Sequence, residues 1–419
     1  MGGKVSIILV MSFSLLFALF GRNILNSSVT ITENFSDYFS ITRAQSIAIS
    51  GANMAINKLY LNKNWMAGFS NLPFADGEID VDIDTVGWDS RRITSFGEYN
   101  GVTKKVEILL EPENFAMFGN FYNVFANVWA ATGDTFQGRF HANDWINCYG
   151  DPVFMGPATT SKGVKLYDKY SHPEFFGGTK VTEPIPLEFD TSVIRIAAYQ
   201  NGKIFKDTTN SGKVTTVNLT FLADGNVKYK LKIGSGSYTT EKTVPLNTLA
   251  PNGVIYVEKG NLRVEGTLNG RATIVASQKG DATAGQVFIT NSLQYEKNPL
   301  TNPACDDMLG MIAENKVTVT YDNTRGDINI HGSIFSQKDG LVIDNLDGYT
   351  YNQPHNMNLV GGVIGQKVRE TARYELRSGK YVPVKGYSYV HKYDTRFLKV
   401  RPPFFPSTKF YRVVSWYEE

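Results

Sequence analysis

The stretch KVSIILVMSFSLLFALFGRN, residues 4–23, decides how the rest of the chain is read. Residues 5–20 hold no charge and only three serines among apolar side chains. As a helix they rise roughly 24 Å, a little short of the ~30 Å hydrocarbon core of a bilayer. Ile24 and Leu25 extend the apolar run, and Arg22 just before them can snorkel to the interface. Lys4 and the amino terminus lie on the short side, which predicts a cytoplasmic N-terminus and an external body. A removed secretory signal is the alternative, but the residues after the run, GRNILNSSVT, contain no A-x-A cleavage site. No cysteine follows the run, so a lipid anchor has no attachment residue there.

Further along, the helical signal continues. No proline occurs between Lys4 and Leu72. In ITRAQSIAISGANMAINKLYL, residues 41–61, Ile41, Ala44, Ala48, Ala52, Ala55 and Leu59 recur at spacings of three and four. That spacing predicts an amphipathic helix with a stripe of small residues, a surface that lets helices approach closely. A continuous helix from Lys4 to Tyr60 would be about 85 Å long. SSVTITEN, residues 27–34, is rich in β-branched and capping residues, and a local melt is expected there.

Gly3, Lys4, the apolar residues 5–20, Glu33, Ala44, Ala48, Gly51 and Ala52 together resemble the N-terminal segment of type IV pilin-like proteins, of the PilX-like minor-pilin kind. The resemblance implies a leader ending at Gly3, with Lys4 as the mature N-terminus. It also implies that Val5, Ile8, Phe13, Leu16 and Phe20 form the membrane half of an assembly helix. Ile41, Ala44, Ala48, Ala52, Ala55 and Leu59 would form the half that packs on neighbouring helices. Two departures stand out. Lys4 takes the first mature position, where an apolar residue is common, and Ile8 takes the fifth, where major pilins carry a glutamate. A major, repeating pilin is therefore disfavoured.

After residue 71 the period changes. GEIDVDIDTVGW, residues 77–88, alternates Glu78, Asp80, Asp82 and Asp84 with Ile79, Val81, Ile83 and Thr85, the pattern of a half-buried strand. Same-face carboxylates stand ~7 Å apart along a strand, so a solvated face is favoured over a calcium site. VNLTFLADGNVKYKLKI, residues 217–233, reads as a hairpin turning at Asp224-Gly225. GNLRVEGTL (260–268) and GDINIHGSI (326–334) repeat one glycine-bounded pattern, and short apolar runs lie between and after them. The expected fold is a long N-terminal α-helix, transmembrane then amphipathic, carrying a mainly-β head. An irregular parallel β-helix or solenoid is the preferred head, with a β-sandwich as alternative. The segments TGDTFQGRFHANDWINCYGDPVFMGPATT (132–160), DDMLGMIAENKVTV (306–319) and LVGGVIGQKVRE (359–370) resemble an exported bacterial domain of unknown function that follows PilX-like segments.

The expected organisation is 1–61 as the helix, 62–115 as a small β region, and 116–250 as a β-rich region with the hairpin 217–233 inserted. Residues 251–350 would then form solenoid-like repeats and 351–419 an aromatic and proline-rich cap. The chain has 26 Phe, 22 Tyr and 5 Trp among 419 residues, enough to bury a real core. Its net charge of +2, without a basic block, argues against a nucleic-acid partner.

Enzymatic signals are thin. The five histidines are scattered, and His141 three residues before Asp144 is the nearest thing to an acid/base pair. Asp322, Asp327, Asp339 and Asp344 are the carboxylates a polysaccharide-active β-helix would use, although turn residues fit them better. The RGD at 325–327 reads as a turn. No catalytic residue, metal site or cofactor is assigned. Cys148 and Cys305 are either one disulfide of an exported protein or buried free thiols. The sequence thus points to a non-enzymatic envelope subunit, a minor pilin-like component that primes, caps or decorates a type IV pilus or pseudopilus. Its partners would be other pilin-like subunits, the assembly machinery and the inner membrane, with a surface glycan as a candidate. The alternatives are a membrane-tethered adhesin or carbohydrate-binding module and, behind them, a polysaccharide-active enzyme.

Overall fold

One α-helix, Gly2–Leu61, carries both the apolar run and the small-residue stripe. The computed structural model describes residues 2–87, 89–187, 191–378 and 380–419, with the side chains of residues 2–4, 380 and 381 left aside. The melt expected at 27–34 is absent: the helix runs through, and Thr32 Oγ1 donates to the Ser28 carbonyl at 2.9 Å. β-Branched residues cost only about 0.5 kcal/mol each relative to alanine, and good helix on both sides propagates across such a window.

The chain divides into two compact units, Met1–Pro112 with Lys409–Glu419, and Glu113–Thr408. The first is the helix and a five-stranded sheet, ordered Phe69–Phe74, Gly77–Val86, Ser90–Tyr99, Val102–Asn114 and Ser407–Glu418. The first four strands form an antiparallel meander. The last strand is separated from its neighbour by the whole second unit in sequence, and Lys105 and Glu419 exchange both backbone hydrogen bonds, at 3.3 and 2.9 Å. Period-two alternation places Ile79, Val81, Ile83, Ile93, Val106, Ile108 and Leu110 on one buried face. Ala48, Ala52, Ala55 and Leu59 cover that face, while Glu78, Asp82 and Asp84 stay exposed on the other.

Glu113–Thr408 is built mainly of strands joined in a 22-stranded mixed sheet, with no closed barrel. Its longest run of pairings is parallel throughout. In spatial order it passes Lys203–Phe205, Val254–Val257, Arg271–Ala276, Met308–Ala313, Ile328–Ser336 and His355–Lys367. It then continues through Phe118–Val124, Arg139–Ala142, Ala158–Thr160 and Thr179–Val181. This is not chain order. The chain starts in the middle at 118, steps outward to 181 and resumes at the far end at 203. It then winds back until Val363 and Ile364 pair with Asn120 and Phe121.

The two sequence repeats are not equivalent layers. Gly260–Leu268 and Ile328–Ser336 do not pair with each other; both pair with Val287–Tyr295 between them. What they share is a corner. Gly266 has φ +107° and Gly332 φ +138°, a left-handed region that glycine alone enters cheaply. Gly361, φ +141°, is a third copy, and a Cβ there would fall 1.9 Å from the Gly332 carbonyl oxygen. The hairpin Thr215–Phe221 with Asn226–Ile233 turns at Gly225, φ +82°, and Asp224 Oδ1 accepts the Asn226 amide at 2.9 Å.

The aromatic tail covers a flank rather than an end. Tyr393, Phe397 and Phe405 are buried with Val254, Val275, Ile312, Phe335 and Ile364, which lie on successive strands of the long parallel run. The end cap expected of this segment is therefore replaced by a side cover, because alternate residues of those strands face outward and need apolar shielding as much as an open edge does.

Candidate functional site: the exposed half of the helix

The helix changes character at its middle. Residues 5–39 are exposed apart from half-buried Gly21. Val5, Ile8, Phe13, Leu16 and Phe20 are all exposed, as are Ile24 and Leu25. Exposure of large apolar side chains then continues through Val29, Ile31, Phe35, Tyr38 and Phe39. Over residues 5–42 the only charges are Arg22, Glu33 and Asp37. This helix is long and apolar enough to cross a membrane. The exposed stretch, residues 5–39, is about 52 Å long, whereas a bilayer core needs about 30 Å. Roughly four helical turns are left over, and on them Val29, Ile31, Phe35, Tyr38 and Phe39 stand exposed among polar residues.

The stripe is placed differently from its expected use. Ala44, Ala48, Ala52, Ala55 and Leu59 are fully buried, the last four packed against the sheet of the same unit, while Ile41 remains exposed. The face they would offer to a neighbouring helix is thus occupied within the chain. Ser95 Oγ donates to the Ala48 carbonyl at 2.8 Å, and Phe39 and Tyr99 meet edge to face at 6.0 Å where contact with the sheet begins. Of the candidate leader-cleavage pair Gly3 and Lys4 only the backbone is described, as part of the helix. The sequence reading missed residues 29–39 as a surface, because residues 29–34 fall inside the stretch read as a weak spot. The signal was there: five large apolar residues among two charges.

The candidates for chemistry turn out to be structural. His141 is buried, with Nδ1 bonded to the Thr159 hydroxyl at 2.7 Å and Nε2 to Asn143 Oδ1 at 2.8 Å, and burial lowers its pKa. Asp144 pairs instead with Lys162 at 2.8 Å, so the two do not form an acid/base couple. Asp322 caps its own turn through Thr324 and Arg325, Asp327 accepts the Asn356 amide, and Asp339 holds Arg369. Among the described residues no three His, Cys, Asp or Glu side chains converge as metal ligands would. Cys148 and Cys305 are free and buried, and burial raises both thiols.

Arg325 of the RGD is buried rather than displayed. It donates to the Thr290 carbonyl at 2.7 Å, to the Thr320 carbonyl and to Tyr387 Oη at 3.1 Å. Arg325→Ala strips a charged donor from two backbone carbonyls, and a loss of about 3 kcal/mol is expected. Denaturant unfolding checks this, and a loss below about 1 kcal/mol would mean that water reaches those carbonyls.

No family model matches the chain, and no curated protein does. Among solved structures the chain is similar to the crystal structure of the competence-associated pilin ComZ from Thermus thermophilus. The match has 11% identity and a TM-score of 0.35, over 91% of this chain and 97% of that one. A likeness at that score is too loose to carry an argument about fold or role.

Proposed function

We propose that the chain is a structural subunit of the bacterial envelope, a minor pilin-like component of a type IV pilus or related pseudopilus. One observation carries the reading: the exposed half of the helix is longer than a membrane is thick and keeps large apolar side chains exposed beyond the membrane-length run. A permanent anchor has no use for Val29, Ile31, Phe35, Tyr38 and Phe39 exposed to water, since exposed apolar surface costs about 25 cal/mol per Å². An assembly helix does, because neighbouring helices cover them in the filament. In this reading residues 5–25 hold the subunit in the inner membrane, N-terminus inside, until assembly. Residues 29–39 pack between subunits, and the Ala44–Leu59 stripe serves to seat the helix on its own sheet. The parallel runs of the second unit are read as an irregular β-helix displayed outside the membrane.

The test is cysteine cross-linking in native envelopes. Phe35→Cys is expected to form disulfides with a cysteine placed on a neighbouring pilin-like subunit, while the buried Cys148 and Cys305 stay silent. Complete maleimide labelling of Phe35→Cys without cross-links would instead mean a solvent-exposed anchor, and the proposal would fall. Mass spectrometry of the N-terminal peptide is an independent check. A chain starting at Lys4 fits prepilin processing, and a start beyond residue 21 contradicts it.

A further inference from the structure

The second unit contains a cavity of about 370 Å³ beneath the hairpin formed by Ala372–Arg377 and Lys380–Lys392. Tyr122, Trp129, Asp134, Phe136, Tyr374 and Tyr389 are among its lining residues. Its polar groups are unbalanced. The hydroxyls of Tyr122 and Tyr389 both donate to Asn120 Oδ1, each at 3.1 Å, so toward the cavity their oxygens retain only acceptor capacity. Asp134 accepts the Ala131 amide at 2.8 Å and the Tyr374 hydroxyl. No cation contributes to its electrostatics; burial dominates and raises its carboxyl to about 6. Two guanidiniums, Arg369 and Arg373, also line the cavity, and each is paired with carboxylates. Arg369 is held by Asp339 at 2.6 Å, and Arg373 by Asp347 at 3.0 Å and by Glu370.

The Asp134 carboxylate and the Tyr122 and Tyr389 oxygens offer acceptors to the cavity, although Trp129, Asn127 and Thr371 on its lining carry donors. A half-buried carboxylate that no described cation pairs with is open to a cationic ligand. Aromatic walls add a quadrupole that attracts positive charge. We propose that this cavity is a binding site for an organic ammonium group, held by the Asp134 carboxylate and enclosed by Tyr122, Trp129, Tyr374 and Tyr389. The ring faces enclose the alkyl substituents, and the tyrosine oxygens accept the remaining N–H bonds of a primary amine or face the methyls of a quaternary one. A neutral sugar would satisfy the acceptors but leave the carboxylate without its counter-ion. This site is separate from the helix, so its failure leaves the assembly reading untouched.

The experiment titrates the detergent-solubilised full chain with tetramethylammonium chloride at constant ionic strength, following tryptophan emission. A saturable change is expected that matched sodium chloride does not give. Asp134→Asn is expected to weaken binding at least tenfold without lowering the melting temperature. Below about pH 6 affinity is expected to fall about tenfold per pH unit as the carboxyl takes up its proton. Competition by phosphatidylcholine vesicles would identify the ammonium as that of a lipid headgroup. Competition by free choline but not by vesicles would identify a soluble amine. Saturation by glucose but not by tetramethylammonium would overturn the proposal, as would unaltered binding in a folded Asp134→Asn.

Discussion

Gly97→Ala is expected to unseat the helix from its sheet and to cost about 3–5 kcal/mol, combining overpacking with a lost hydrogen bond. A Cβ at residue 97 would fall 2.3 Å from the Ala48 nitrogen and 2.4 Å from the Ala44 oxygen. Both are backbone atoms of the helix, which no side-chain rotation can move aside. Seen from the helix, a Cβ at Gly51 would sit 2.5 Å from Ser95 Oγ and 2.7 Å from Ile79 Cγ2. The small residues are therefore a condition of contact: they bring the helix backbone close enough for Ser95 to reach the Ala48 carbonyl at 2.8 Å. The helix must shift by an ångström or more to admit one methyl group, and the buried set Ala52, Ala55 and Leu59 shifts with it.

Hydrogen–deuterium exchange of the 44–59 peptide in the full chain, together with denaturant unfolding, reads the effect. Gly21→Ala is the control, because a Cβ there meets nothing within 4 Å. It is expected to be neutral or to stabilise by up to about 1 kcal/mol, the helix propensity of alanine over glycine. Equal stability of Gly97→Ala and the parent would show that the helix floats on the sheet, and the close seating described above would be wrong.

How much of this was legible in the sequence follows from how local each signal is. The helix showed as an apolar run followed by a three-four period. The strand at 77–86 showed because Ile79, Val81 and Ile83 alternate with carboxylates. The hairpin showed because Asp224-Gly225 carries its own turn chemistry. The stacking order did not show, since nothing around Val363 announces that its neighbour is Asn120. The third repeat was hidden for a physical reason. Its sequence, LVGGVIG, keeps only the corner glycine, while the intervening strand Val287–Tyr295 takes its corner over Thr290–Ser292 with no glycine at all. The cavity is built from residues 122, 129, 134, 374 and 389, whose convergence depends wholly on that stacking. The role of the small stripe was misplaced because small residues on a helix look the same whether a sheet or another helix covers them.

Acid is expected to destabilise the second unit before most of its carboxylates titrate, because the join in its stack depends on a neutral histidine. His391 is buried; its Nδ1 accepts the Gln137 amide at 3.2 Å and faces Asn120 Nδ2 at 3.2 Å, and its Nε2 donates to the Gly361 carbonyl at 3.1 Å. That network assigns the Nε2-protonated tautomer and leaves no acceptor for a second proton. Burial pushes the pKa of His391 down to about 4, and that of His331, whose Nδ1 accepts the Tyr295 amide at 3.1 Å, also to about 4. The unfolded chain takes up these protons near pH 6.5. Folded pKa values below the unfolded ones mean that stability is complete above about pH 6.5 and is lost as pH falls toward 4. Each residue contributes on the order of 3 kcal/mol to that loss. Asp134, raised to about 6, acts in the opposite direction over part of the same window and offsets a fraction of it. Thermal melts from pH 8 to pH 4 are expected to show the transition of this unit falling steeply below pH 6.5. His391→Leu removes one titrating group but leaves the Gln137 and Asn120 donors without their acceptor. It is expected to be less stable than the parent by about 2 kcal/mol at pH 7.5, with the gap closing toward pH 4. Parallel pH profiles for the two proteins would mean that His391 titrates as it does in the unfolded chain, and that the join does not depend on its neutral form.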